Sequence, residues 1–128
     1  MDPLVMAALG VRKHAHAPFS GFEVGAALED AEGRLWTGCN IENSSYGLTV
    51  CAERVAVFKA LSEGVRDFRR LAIASARDHP APPCGACRQI LWEFCGDIQI
   101  ILANPRGAVE TLRLKELLPR PFDASYLR

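Results

Sequence analysis

Three of the chain's five cysteines lie in two short segments, Cys51-Ala52-Glu53-Arg54 and Pro83-Cys84-Gly85-Ala86-Cys87-Arg88-Gln89. Thirty-two residues separate Cys51 from Cys84, and two separate Cys84 from Cys87. A Cys-x-x-Cys pair places two thiolates within reach of one ion. A third thiolate from a distant segment makes three, the number of protein ligands in a zinc site that keeps its fourth position for water or substrate. A fold serving such a site has to carry two distant segments to one point. The other cysteines are Cys39 and Cys95. The count is odd, residues 1–13 lack the basic-then-apolar order of a secretory signal, and 128 residues can bury a core without staples. Metal binding or buried thiols are therefore favoured over a disulfide framework, and the reducing cytoplasm is the expected compartment.

Fifteen basic residues balance fifteen acidic ones, and 49% of the chain is hydrophobic. That balance excludes a chain disordered throughout. It offers no global basic excess for nucleic acid or an anionic membrane, so neither is expected as a partner. No apolar run reaches the length of a membrane span. One domain over residues 1–128 is expected.

Asp2-Pro3 reads as an N-cap with proline at the first helical position, opening a helix to about His14 that stops before Pro18. Residues 22–28 and 34–41 read as two strands joined around Asp30-Ala31-Glu32-Gly33. Residues 43–49 form a polar loop, and Thr49 is placed to cap a helix over 50–63 that Gly64 ends. Residues 71–76 and 98–102 read as buried strands, with a proline-rich loop at 78–83 and a helix from Cys84 or Gly85 to Phe94 between them. Residues 103–109 read as a turn and 112–118 as a short helix or turn. The later strands alternate with helices, so their connections are crossovers. The expected fold class is α/β, three layers α/β/α around a central mixed sheet of about five strands.

All three clustered cysteines fall at or near expected helix N-termini, where backbone N–H groups and the helix dipole favour anionic sulfur. Three thiolates on Zn²⁺ leave a net negative centre, so acidifying water there needs positive relief, which Arg54 and Arg88 are placed to supply. Glu53 lies two residues after Cys51, which in a regular helix would point it away. The spacing works if Cys51 sits at the entry to the first turn, where the geometry is not yet regular. A carboxylate beside a zinc-activated water can take its proton and hand it to a substrate. Two other readings remain open. The Cys-x-x-Cys pair alone fits a redox motif, and it fits half of a structural zinc site whose fourth ligand would be Cys39, Cys95 or His79. Asn40 and Glu42 read by themselves as turn residues, Trp36 and Trp92 as core or interface aromatics, and Cys39 and Cys95 as buried thiols.

Cys51-x-Glu53 with Pro83-Cys84-x-x-Cys87 resembles the zinc deaminase pattern of His or Cys, x, Glu, then Pro-Cys-x-x-Cys. The likeness extends in order through Phe22-Glu23-Val24-Gly25-Ala26-Ala27-Leu28, Thr37-Gly38-Cys39-Asn40-Ile41-Glu42-Asn43, Ser45-Tyr46-Gly47 and Leu117-Leu118-Pro119 with Phe122. Over nearly its whole length the chain is similar to the small three-cysteine cytidine deaminases. The resemblance implies hydrolytic deamination of cytidine and 2′-deoxycytidine to uridine and 2′-deoxyuridine with release of ammonia, in pyrimidine salvage. It implies one Zn²⁺ per subunit on Cys51, Cys84 and Cys87, with Glu53 as the proton shuttle for water attacking C4. Asn40 and Glu42 would bind the ribose 3′-hydroxyl, Phe22 would pack near base and sugar, and the Ala52 backbone would hold the pyrimidine. Arg54 and Gln89 would hydrogen-bond ligand sulfurs. Phe122 would reach a neighbouring subunit's site in a homotetramer. The alternatives are a deaminase of another aminopyrimidine nucleoside, such as a nucleoside antibiotic, and a non-catalytic structural zinc module. The chain departs from the family at His16 and Phe19, where tyrosine is usual, at Pro82, where serine is common, and at Cys95, where a small residue is usual.

Overall fold

The computed structural model describes residues 1–128. Asp2 caps the first helix, α1 (Pro3–Arg12), by accepting a hydrogen bond from the Leu4 N–H at 2.9 Å. The helix ends two residues earlier than its sequence suggests. His16 is drawn into a bridge with Ile41, its N–H donating to the Asn40 carbonyl. Strands β1 (Gly25–Asp30) and β2 (Leu35–Cys39) form the expected hairpin. A single 3-10 turn (Tyr46–Leu48) interrupts the polar loop, and α2 (Ala52–Ser62) follows. Thr49 does not cap α2. Val50 exchanges backbone hydrogen bonds with Ile41 and holds the chain extended, so the cap falls on Cys51.

The remaining elements are β3 (Phe68–Ala74), α3 (Gly85–Cys95), β4 (Gln99–Ala103), β5 (Val109–Arg113) and α4 (Leu114–Leu117), with a last 3-10 turn at Ala124–Leu127. The sheet runs β2-β1-β3-β4-β5, with β3 and β4 parallel and every other pair antiparallel. β5 is the strand that residue patterning missed. Its residues are exposed except for the half-buried Leu112, so its sequence lacks the apolar alternation that marks a strand. β3 begins at Phe68, inside a stretch that reads as a solvated connection. Its first three residues are at most half-buried, and burial is continuous only from Leu71.

Alternation along the strands builds two cores. Ala27, Ala72, Ala74, Ile101 and Ala103 pack against Leu4, Val5 and Ala8 of α1. Ala26, Leu28, Leu71, Ile73, Ile100 and Leu102 face Ala52, Ala56, Val57 and Ala60 of α2 and Leu91 of α3. The result is the α/β/α layering. Two glycines set how closely the layers approach. A Cβ on Gly25 would lie 2.0 Å from the Ala8 carbonyl oxygen, and one on Gly38 would lie 2.6 Å from both the Ala52 oxygen and the Ala56 nitrogen. Gly38 thereby seats the first turns of α2 directly on β2. No helix is long and apolar enough to cross a membrane.

Candidate active site

Two helix N-termini meet at one end of the second core. Cys51 is the N-cap of α2 and Cys84 the N-cap of α3, both with extended backbone (φ −72°, ψ 153° and φ −66°, ψ 167°), and Cys87 lies in the first turn of α3. The Cys51 carbonyl accepts from the Val55 N–H at 3.1 Å, and the Cys84 carbonyl from the Arg88 N–H at 2.9 Å, so each begins its helix through the backbone. Their sulfurs remain free to converge. The three Sγ atoms lie within 4.8 Å of one another, and Cys51 and Cys84 are 3.9 Å apart. Tetrahedral ligation at Zn–S distances of about 2.3 Å calls for sulfurs about 3.8 Å apart, so the residues fit zinc in chemistry and spacing. Cys39, Cys95 and His79 do not join this cluster, and no other His, Cys, Asp or Glu makes a fourth member. Cys39 is buried, Cys95 half-buried and His79 exposed, each elsewhere in the fold.

Positive relief comes from Arg54, whose Nη2 donates to the Cys51 sulfur at 3.4 Å. The Cys51 thiol is held well below its ordinary pKa, chiefly by the hydrogen bond from Cys87, with Arg54 adding to it. Two neighbours expected to help are engaged elsewhere. Arg88 donates to the carbonyls of Pro83 (2.7 Å) and Leu117 (2.8 Å), and Gln89 donates to the carbonyl of Phe122 (2.7 Å) rather than to a sulfur. The chain's last segment folds back along α3, and Trp92 completes the attachment by donating to Asp123 at 3.0 Å. Backbone carbonyls of that segment thus take up Arg88 and Gln89 of α3.

Glu53, in the first turn of α2, is 5% exposed. Burial pushes its carboxyl up to about 7, against a partial offset from its own backbone N–H. Because Cys51 precedes the helix in extended conformation, Cys51 and Glu53 both face one cavity of about 170 Å³. Its wall also includes Phe22, Val24, Asn40, Ala52, Ile73, Ala81, Pro82 and Cys84. A larger depression of about 260 Å³ lies at the other end of α2, lined mostly by charged and polar residues between Asp30 and Asp67, and contains none of the cysteines.

Asn40 is buried and bound at both ends, Oδ1 accepting from the Val24 N–H (2.9 Å) and Nδ2 donating to the Phe22 carbonyl (2.8 Å). One N–H and one lone pair of that amide stay available. Glu42 lies in an adjoining open hollow with Phe19, Ser20 and Tyr46, and Thr49 is a wall of both spaces. The Ser20 hydroxyl and the Phe19 and Ser20 N–H groups donate to Glu42, holding its carboxyl below the usual range, with the hydroxyl the strongest cause. Phe122 is exposed, outside this cavity, and stacked on Tyr126 with ring centroids 5.6 Å apart. Sequence reasoning passed over Ile73, Thr49 and Ala81 as cavity walls. Ala81 could have been found from its place just before the Pro83-Cys84 motif, whereas Ile73 looks like any core residue. Of the departures, Pro82 lines the cavity, Phe19 packs edge-on against Tyr46, and Cys95 packs at the far end of α3.

Residues 2–103 match the family model for the cytidine and deoxycytidylate deaminase zinc-binding region. The chain is 45% identical to a cytidine deaminase of Sporosarcina psychrophila, covering 98% of this chain and 96% of that protein. It is 48% identical to one of Halalkalibacterium halodurans, covering 94% and 92%. The crystal structure of cytidine deaminase from Burkholderia pseudomallei superposes with a TM-score of 0.90 at 43% identity, over 95% of this chain and all of that one. The architecture and the three-thiol cluster therefore agree with the family's fold and its zinc-binding region. This chain belongs to the cytidine and deoxycytidylate deaminase family.

Proposed function

We propose that the chain, as a single domain over residues 1–128, is a zinc-dependent hydrolase that converts cytidine and 2′-deoxycytidine to uridine and 2′-deoxyuridine and releases ammonia. One observation carries the reading. Three sulfurs are spaced for zinc with no fourth protein ligand, and two of them, Cys51 and Cys84, line one cavity with the buried Glu53 carboxyl, which burial pushes up to about 7. Bound on Cys51, Cys84 and Cys87, zinc would acidify a water at the open position.

The rest of the chemistry belongs to this chain's residues. A group that gives and takes a proton in one cycle works best with a pKa near the operating pH. Glu53 takes the proton of the attacking water and delivers it to N3 of the cytosine ring as the oxygen adds to C4. It then moves the proton of that oxygen to the amino group, which leaves as ammonia while the C4 carbonyl forms. Phe22 packs on the substrate, the Ala52 backbone holds the pyrimidine, and Asn40 and Glu42 receive the ribose hydroxyls. Arg54 offsets the thiolate charge that would otherwise oppose acidification of the water. Exposed Phe122 is available to a neighbouring subunit, in line with a homotetramer of one zinc per chain. Such an enzyme would act in cytoplasmic pyrimidine salvage.

Purified protein tested on cytidine, deoxycytidine, cytosine and CMP, with zinc measured in the same sample, examines the reading. Turnover of the two nucleosides with one zinc per chain is expected. Bound zinc without turnover of any cytosine nucleoside would overturn it. Light scattering should report four chain masses, and an active monomer would remove the shared role of Phe122.

A further inference from the structure

The aromatic wall of the cavity, Phe22, stands on the irregular segment between α1 and β1. Its backbone is tied at two points: its N–H donates to Ser20 Oγ at 3.0 Å, and its carbonyl accepts from Asn40 Nδ2 at 2.8 Å. Its ring is covered by Arg77, whose guanidinium carbon lies 5.2 Å from the ring centroid, within cation–π range. The Arg77 side chain makes no ion pair or hydrogen bond in the structure, so the aromatic ring is its partner. The backbone beneath it is clamped. Asn104, 3% exposed, donates through Nδ2 to the carbonyls of Arg77 (3.0 Å) and Asp78 (3.3 Å). Arg106 donates to the Ala76 carbonyl at 2.7 Å and pairs with Asp78 at 2.7 Å. Asn104 Oδ1 in turn accepts from the Arg106 and Ala108 N–H groups, both at 3.0 Å. The turn between β4 and β5, remote from the cavity in sequence, thus fixes where Arg77 sits.

We infer that Arg77 is a positioning residue for substrate: it holds the Phe22 ring in the cavity wall, and Asn104 holds Arg77. The inference rests on the reading that this cavity takes a cytosine nucleoside. A ring held in place before substrate arrives has less freedom to lose on binding, so the effect falls on KM and spares kcat.

The test is steady-state kinetics on cytidine with the zinc-loaded parent, R77A, F22L and the R77A/F22L double variant. An exposed cation–π contact is worth about 0.5–1 kcal/mol, so R77A should raise KM about twofold to fivefold while kcat stays essentially that of the parent. Arg77 is exposed, so its removal should leave folding and zinc content as in the parent. In the F22L background the same substitution should leave KM unchanged, because the group through which Arg77 acts is gone. An unchanged KM in R77A overturns the inference, as does an equal rise in the F22L background, which would indicate direct contact with substrate. A parent inactive on every cytosine nucleoside removes the functional reading and this inference together. An active parent with an indifferent R77A removes this inference alone.

Discussion

Asp30 and Glu53 are both buried carboxyls, 2% and 5% exposed, one at each end of the layer formed by α2 and the sheet. Their surroundings drive them in opposite directions. Burial works to raise the Asp30 pKa, but the Trp36 indole N–H, the Arg34 and Glu32 backbone N–H groups and the Arg34 guanidinium all donate to it and hold it below its ordinary value. Glu53 has few such donors and faces the Cys51 thiolate, so burial prevails and the carboxyl rises to about 7. The lesson is that burial does not distinguish a structural acid from a chemical one. The number of donors around it does.

The sharpest break between the two regions should come from the metal. Cys84→Ser removes one of three thiolates, and zinc content should fall to a small fraction of one per chain with turnover lost. The hydrogen bonds around Asp30 should be unaffected. Retained stoichiometric zinc, measured by metal analysis, would contradict the three-sulfur assignment.

Amide substitution at each carboxyl puts the comparison directly to the test. Glu53→Gln should keep zinc and folding but lose turnover by about 1000-fold or more, roughly 4 kcal/mol of barrier. Its thermal midpoint should hold or rise, because a costly buried acid becomes a neutral amide. Asp30→Asn should do the reverse, with kcat within about twofold of the parent and the thermal midpoint lower by several degrees. A turnover loss in Asp30→Asn matching that of Glu53→Gln would erase the distinction.

The two acids also differ in how stability depends on pH. The folded Asp30 pKa is depressed, so its contribution is present above the ordinary value of 3.8 and is lost as pH falls through the folded value. Urea melts of Asp30→Asn and the parent should therefore differ at neutral pH and converge in acid. The raised Glu53 pKa has the opposite sign in the zinc-free protein. Stability is greatest below the ordinary 4.5 and declines as pH rises through about 7, and Glu53→Gln should flatten that slope. The smallest effect is expected from Arg34→Ala. Its side chain is 59% exposed, so water screens its end of the pair, and the Trp36, Glu32 and Arg34 N–H donors to buried Asp30 remain, so the loss should stay under about 1 kcal/mol.

Much of the site is legible as local spacing. Cys51-x-Glu53 and Pro83-Cys84-x-x-Cys87 announce a zinc site with an acid near two helix starts, although the cap of α2 falls on Cys51 and not on Thr49, because Val50 is held extended by Ile41. The two-residue spacing asks for Cys51 at the irregular entry to the helix, and the structure places it one step earlier, as the N-cap, so that Glu53 shares its cavity. Other features are legible in neither pattern nor motif. β5 is an exposed edge strand with polar residues, so only its pairing with β4 makes it a strand. Gln89 beside a ligand looks like a sulfur partner, yet a carbonyl more than thirty residues away takes its amide. Asn40 looks like a turn residue, yet its amide ties down the irregular segment before β1, through the Val24 N–H and the Phe22 carbonyl sixteen and eighteen residues earlier.

The sequence by itself determined the donor types, a helix beginning close to each thiol segment and the buried central strands, because each depends on residues within a few positions of one another. The tertiary structure alone decided that the two thiol segments meet, and that the acid between them is left short of donors while Asp30 is fully served. It also decided that a turn after β4 steadies the aromatic wall of the cavity through Asn104 and Arg77. These outcomes depend on which groups the sheet order brings together across long stretches of chain. Desolvation and hydrogen bonding act on those neighbours in space, whatever their order along the backbone.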